Sequence, residues 1–348
     1  MMIEDESIGE VILLSELPTD SSFQGTALRP DGRVLASRLD LPELYQFDPK
    51  NPEAPPQLIY TFPDTGGLVQ ICPLKGCHDE YAVVPGTLDV AKFEFSKPLI
   101  WRIALSSNDD EPPKVTLITE MKGAGFPASC WSATERTLLV PDSGLACIFR
   151  IDVQDGRCDK LIEDDEMGAA IADESAEQED FYGINGIYLI GEWAYFANES
   201  RGTLCRFPVS YGRRTDDDEE PDDGWDIHAT GDVKVITDEI PHSDALVFTN
   251  DPNVGYSANY VNGHLRRIDI DPVTGAGEVR NVLENLVTPV SVELVYPEDG
   301  SKPKMIILCT GEIDISWVRD HEGWSDIANI NASVTVTVTT TEEVVEVA

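Results

Sequence analysis

Apolar and polar positions alternate with a period of two along most of this 348-residue chain, and Gly, Pro, Asn or Asp bounds nearly every alternating segment. That is the signature of short β-strands joined by turns. No segment shows a convincing helical period. The stretch FQGTALRPDGRVLASRLDLPELYQFDP (23–49) is representative: three strand-like runs, the first two separated by the turn Pro30-Asp31-Gly32. A second is HSDALVF (242–248), where an apolar strand opens on His242, Ser243 and Asp244.

The strands recur in units. Each unit has an opening strand with a polar start, a turn, and a second strand ending in a small or polar cluster. A third strand carrying aromatic or basic residues follows, and then a fourth. Openings fall near Gln24, Gly67, Pro127, Asn185, Asp244 and Val290, about 50–60 residues apart, the span of a four-stranded propeller blade with insertions. The pattern therefore predicts an all-β chain: a single six-bladed β-propeller domain over residues 1–348. Open sheet edges are hazardous, so the ring must close. The head GEVILLSEL (9–17) and the Val/Thr-alternating tail ASVTVTVTTTEEVVEVA (332–348) are the strands expected to close it. Two acidic segments, near 163–180 and 213–226, read as solvated insertions.

In a propeller, the loop leading into the first strand and the loop between the second and third strands lie on one face. Residues at both places converge on the central channel. The openings supply Gln24, Phe126, Trp131, Tyr182, Asn185, His242 and Asp244. The second-to-third loops supply Arg38, Asp142, Asn198, Glu199, Asn259, Tyr260 and Glu312. Asp244 thus lies where the blades are expected to meet.

Composition narrows the chemistry. The 64 acidic and 25 basic residues give a formal net charge of −39. That argues against nucleic acid and anionic membrane surfaces, which demand basic patches. No apolar run reaches 18 residues, so no membrane-spanning helix is expected. The start MMIEDESIGE lacks a basic-then-apolar leader; the chain as given reads as cytoplasmic, unless a signal peptide has been removed. The seven cysteines include no Cys-x-x-Cys pair and mostly lie in apolar runs, which predicts buried free thiols. The five histidines show no zinc spacing. Neither a G-x-S-x-G elbow nor a phosphate loop is present.

The openings GINGI and HSDAL resemble those of the SMP-30/gluconolactonase/LRE-like propeller superfamily. The resemblance implies one divalent metal, usually calcium, in the channel mouth. The ligands it implies are a Glu opening the first blade, an Asn in an Asn-Gly pair and an Asp in a Ser-Asp strand start. Asn185 and Asp244 match the last two, whereas FQGTAL places Gln24 where the family has Glu. With one carboxylate among these three, no tightly held metal and no cofactor is expected, although Asp142, Glu199 or Glu312 could add charge.

A narrower resemblance, carried by SRLDLPELYQFDP, YGINGI, FANESRGTLCRFPV and HSDALVF, is to propellers of fungal secondary metabolism. Some of those are hetero-Diels–Alderases joining a tropolone o-quinone methide to a humulene-type alkene. It implies a cofactor-free pericyclase acting on two small molecules, a reactive polyketide-derived diene and a terpene dienophile. Gln24, Asn185, His242 and Arg38 would then donate hydrogen bonds, with Asp244 orienting the amides. Phe126, Trp131, Tyr182, Asn259 and Tyr260 would line the substrate. The alternative is a metal-dependent lactonase of the wider superfamily.

Overall fold

The computed structural model describes residues 21–89, 94–96, 98–170, 182–213, 223–296 and 303–310. Blade 1 is β1 (Phe23–Leu28), β2 (Val34–Arg38), β3 (Glu43–Phe47) and β4 (Gln57–Thr61). Blade 2 is β5 (Gly67–Pro73), β6 (Glu80–Asp89), β8 (Leu99–Ala104) and β9 (Lys114–Glu120), with the short β7 (Glu94–Ser96) paired to an extension of β6. Blade 3 is β10 (Trp131–Ser132), β11 (Thr137–Asp142), β12 (Cys147–Asp152) and β13 (Cys158–Glu163). Blade 4 comprises β14 (Ile184–Ile190), β15 (Trp193–Asn198), β16 (Thr203–Tyr211), and both β17 (Ile227–Ala229) and β18 (Lys234–Thr237), which pair with β16. Blade 5 is β19 (Ser243–Phe248), β20 (Val254–Asn259), β21 (His264–Ile270) and β22 (Gly277–Leu283). A sixth sheet holds β23 (Pro289–Val295) and β24 (Lys304–Cys309).

Every ladder is antiparallel, and apart from β6–β8 and β16–β18 each joins consecutive strands, as a meander requires. The turn expected at Pro30-Asp31-Gly32 is present, and another lies at Asp155-Gly156, with Gly32 and Gly156 at φ 88° and 76°, values a side chain disfavours. The described residues therefore form an all-β propeller of five complete blades and two strands of a sixth sheet. This differs from the expected six full blades: the strands expected to close the ring, at 9–17 and 332–348, lie outside the described residues.

The core sits in the gaps between neighbouring sheets. Six buried apolar clusters fill them, each drawing on two adjacent sheets. One joins Phe23, Val34 and Ala36 of blade 1 to Val290, Ile306 and Leu308 of the last sheet. Each such side chain contributes about 1.5–3 kcal/mol by burial, so no sheet is held by its strands alone. All seven cysteines are free, and five of them are buried: Cys72, Cys130, Cys147, Cys205 and Cys309. The flanks of the acidic segments are anchored rather than solvated. Met167 is fully buried in the core between blades 3 and 4. Trp225 is 1% exposed, lies between the guanidinium groups of Arg150 and Arg157, and donates to Asp159. Among the described residues, no helix is long and apolar enough to cross a membrane.

Candidate active site at the channel mouth

The inner strands share one irregularity. At the start of each, the pairing with the second strand slips by one residue. In β1 the slip falls at Gln24, in β5 at Val69, in β14 across Asn185 and Gly186, in β19 at Asp244 and in β23 at Val290. Blade 3 slips likewise between the Pro127–Asp142 bridge and the Trp131–Leu139 pair. A bulge frees one residue from the ladder and re-aims its side chain. Val69 and Val290 use the position to pack into the cores between blades. Gln24, Asn185 and Asp244 use it to meet at the mouth.

The contact is direct. Gln24 Nε2 donates to Asp244 Oδ2 at 2.6 Å, and Asn185 Nδ2 donates to Asp244 Oδ1 at 2.9 Å. The same Asn185 Nδ2 lies 3.1 Å from Glu199 Oε2, and the Tyr260 hydroxyl donates to Glu199 Oε1. One network thus links blades 1, 4 and 5 through side chains alone. Gly186, beside Asn185, makes it possible. A Cβ there would stand 2.9 Å from the Asp244 carbonyl oxygen, so only glycine lets β14 approach β19 this closely.

Glu199 entered the sequence reading only as a possible extra charge; the structure makes it the second carboxylate of the site. Its signal was local. Asn198, which precedes it, donates to the Glu166 and Gly168 carbonyls and accepts from the Arg201 amide, capping the β15–β16 turn. Asn259 does the same in blade 5, donating to the Pro241 carbonyl and accepting from the Asn262 amide. Asp142 accepts from the amides of Gly125, Phe126 and Leu145. The residue after each cap is the one that reaches inward. Glu199 and Tyr260 do so at the mouth, and Ser143 donates to the Ile184 carbonyl. Asn259 therefore sits beside the site as a scaffold cap, with both ends of its amide committed.

Both carboxylates are buried, Glu199 at 5% and Asp244 at 9% exposure. Burial, reinforced by the charge of Glu199, pushes the Asp244 carboxyl up to about 8, against the opposing pull of the Gln24 and Asn185 hydrogen bonds. Burial and the same two carboxylates drive the Tyr182 hydroxyl above its usual range, and burial and Glu199 do so for Tyr260. The pair is therefore short of positive charge.

Phe126 and Tyr182 stand edge to face at the rim, ring centroids 5.2 Å apart. His242 adopts φ 54°, which lets its amide donate to the Glu199 carbonyl and its carbonyl accept from the Tyr260 amide; its ring sits edge-on to Tyr260 at 6.1 Å. Arg38 lies opposite Phe23 in the β1–β2 ladder, but its guanidinium is engaged by Asp40 and Glu43. Trp131 packs against Tyr188 with the rings tilted by 45° and their centroids 4.2 Å apart. Tyr188 is three residues along β14 from Asn185, about 10 Å from the mouth, so the structure places Trp131 in the packing between blades 3 and 4. Glu312 lies outside the described residues. A cavity of about 300 Å³ between blades 1 and 2 is lined by Arg29, Gln46 and Ser106, among others. There the Arg29 guanidinium is fully committed to Asp79, Gln46 and the Ser106 carbonyl, which makes it part of the scaffold. Among the described residues, no three His, Cys, Asp or Glu side chains cluster closely enough to hold a metal by themselves. Any cation at the mouth would need the amides as well.

No protein-family model matches the chain, and no curated protein matches it in sequence. Solved structures do match in fold. The calcium-binding protein regucalcin from Agrobacterium tumefaciens is 13% identical, with a TM-score of 0.55 over 96% of each chain. The PQQ-bound aldose sugar dehydrogenase from Streptomyces coelicolor is 14% identical, with a TM-score of 0.56 over 96% of this chain and 98% of that one. A glucose dehydrogenase-type oxidoreductase from Thermus thermophilus is 12% identical, with a TM-score of 0.55 over 95% and 99%. At these identities the likeness is one of fold, that of a β-propeller.

Proposed function

We propose that the chain is a small-molecule enzyme of the lactonase type, hydrolysing a cyclic ester at the channel mouth with a divalent cation. The observation that carries this reading is the convergence of two buried carboxylates, Glu199 and Asp244, on one amide, Asn185, with Gln24 completing the group. Two buried carboxylates without a counter-cation are costly, and Asp244 relieves the cost by holding a proton near neutral pH. A divalent ion would relieve it better. The donor set suits a hard cation, which takes oxygen ligands. Asp244 and Glu199 supply two carboxylates. Turning the Gln24 and Asn185 amides end for end exchanges their N–H donors for carbonyl oxygens. Glu199 thereby makes good the carboxylate that Gln24 does not provide.

A cation held there would polarise the ester carbonyl and acidify a water. The protein's own groups do the rest. Tyr260 holds Glu199 in place through its hydroxyl. Gly186 lets Asn185 bridge both carboxylates, and the Phe126–Tyr182 pair gives the site an aromatic side. The same reading takes the ring as six-bladed, with β23 and β24 as the inner half of the last blade.

A second reading, a cofactor-free hetero-Diels–Alderase, is favoured by a different observation. With the amides as they stand, a carboxyl that binds a proton near neutral pH sits beside an aromatic wall, and could donate to a heterodiene oxygen without a metal. Near-attack positioning of two apolar partners would supply much of the acceleration. One experiment separates the two. Calorimetric titration with Ca²⁺, Mn²⁺ and Zn²⁺ is run beside lactone hydrolysis with and without EDTA. Stoichiometric binding lost in Asp244→Ala, with EDTA-sensitive hydrolysis, is the expected result. Absence of both, with one cycloadduct stereoisomer enriched from an o-quinone methide precursor and a humulene-type alkene, would transfer the assignment to the second reading.

A further inference from the structure

The mouth is built from two kinds of surface, and together they define a substrate class. One is the hydrogen-bond network already described, in which the polar side chains are engaged with one another. Gln24 and Asn185 hold Asp244, Tyr260 holds Glu199, and Arg38 is held by Asp40 and Glu43. The amides of Asn198 and Asn259, which a polyol would need, are committed to backbone carbonyls and amides. The other surface is aromatic: Phe126 against Tyr182, and His242 against Tyr260. All four of these side chains are partly exposed at the rim.

We infer that the substrate is an arene-bearing, sparingly hydroxylated lactone or ester, and not a sugar lactone or its phosphate; this rests on the lactonase reading above. A polyhydroxylated ring brings several hydroxyls that lose water on binding and need partners. At this mouth Tyr260, Asn198 and Asn259 are already committed, and Gln24 and Asn185 are committed to Asp244 or, once turned, to the cation. A phosphorylated sugar meets two carboxylates and a chain of net charge −39, with the nearby guanidinium of Arg38 neutralised. A flat aromatic acyl group instead stacks or packs edge-on against Phe126 and Tyr182, and presents one carbonyl oxygen to the site. Phe126 and Tyr182 are then the residues that set specificity. They come from different blades, and the Phe126 amide is fixed by Asp142.

The test measures binding and turnover separately. Calorimetry in the presence of 1 mM Ca²⁺ compares coumarin, an aromatic lactone, with D-glucono-1,5-lactone and its 6-phosphate. Hydrolysis of dihydrocoumarin and of gluconolactone is followed in parallel. Coumarin is expected to bind at least tenfold more tightly than either sugar lactone. Phe126→Ala is expected to weaken coumarin at least tenfold, and at least fivefold more than it weakens gluconolactone. Phe126→Leu, which keeps an apolar side chain in place, should fall between wild type and Phe126→Ala and guards against a folding defect, as does an unchanged melting curve. Equal or tighter binding of the sugar lactone, or a Phe126→Ala loss common to all ligands, overturns the substrate class even if lactones are hydrolysed. Selective coumarin binding without hydrolysis of any lactone upholds the preference of the mouth for an arene and overturns the lactonase reading instead.

Discussion

Glu199 and Tyr260 show how one hydrogen bond can place a charge. The Tyr260 hydroxyl donates to one carboxylate oxygen and Asn185 approaches the other, so Glu199 is gripped from blades 4 and 5 together. A hydrogen bond to a charged group is worth about 1.5–3 kcal/mol. Tyr260→Phe keeps the ring and removes only that bond. Calcium affinity measured by calorimetry is therefore expected to fall by up to about tenfold as Glu199 loses its anchor, with the melting temperature lower by a few degrees because the bond is also lost from the cation-free protein. An unaltered affinity would show that Tyr260 does not position Glu199. At this scale the sequence was partly legible. Gln24, Asn185 and Asp244 stood out because polar residues opening apolar strands have a poor place in a core. Glu199 did not, because a Glu after an Asn in a surface turn looks like ordinary solvation. Asn259 looked like a site residue because a capping amide and a binding amide have the same composition.

Strands and turns were readable from alternation and from Gly, Pro and Asn positions, and the six openings fall where the inner strands begin. The one-residue slips were not readable. A bulge changes register without changing the alphabet of the strand, and Val69 and Val290 occupy it as comfortably as Gln24. The tight spacing of β14 and β19 was visible only as an Asn-Gly pair, which also occurs in plain turns. That spacing makes a sharp prediction. Gly186→Ala introduces a Cβ 2.9 Å from the Asp244 carbonyl oxygen and 3.2 Å from the Leu246 amide nitrogen, both backbone atoms that cannot step aside. Overpacking of this kind costs about 1–3 kcal/mol. Chemical denaturation should show that loss, and the Asn185–Asp244 contact should open with it. Cation affinity would then fall further than in Tyr260→Phe.

The whole molecule carries a further carboxylate away from the mouth. Glu293, on β23, is pushed up to about 8 by burial alone. In the unfolded chain it ionises near 4.5. Between those values the folded state holds a proton that the unfolded state has lost, so stability falls as pH rises from about 4.5 through 8 and levels off above. Glu293→Gln removes the share of that slope due to Glu293 and leaves the share due to Asp244. The variant should melt at a higher temperature than wild type at pH 8.5 and draw level near pH 4.5; parallel melting curves across that range would refute it. The fold at this scale was legible as a ring of repeats, since each unit spans one blade. Its closure was not, because the strands proposed for it fall outside the described residues, and alternation alone does not say which partner a strand chooses.

The recurring slip at the head of each inner strand separates two demands that most enzymes must satisfy with the same residues. Residues in register keep the ladders and the gaps between blades filled. The residue out of register answers to neither ladder neighbour. Gln24, Val69, Asn185, Asp244 and Val290 hold equivalent places with an amide, a branched alkyl group or an acid, while the sheets around them keep the same pairing. At Gln24, Asn185 and Asp244 a change of side chain is therefore felt first at the mouth, whereas at Val69 and Val290 the same slipped place answers to the cores between blades, so the frame offers some blades to chemistry and keeps others for packing.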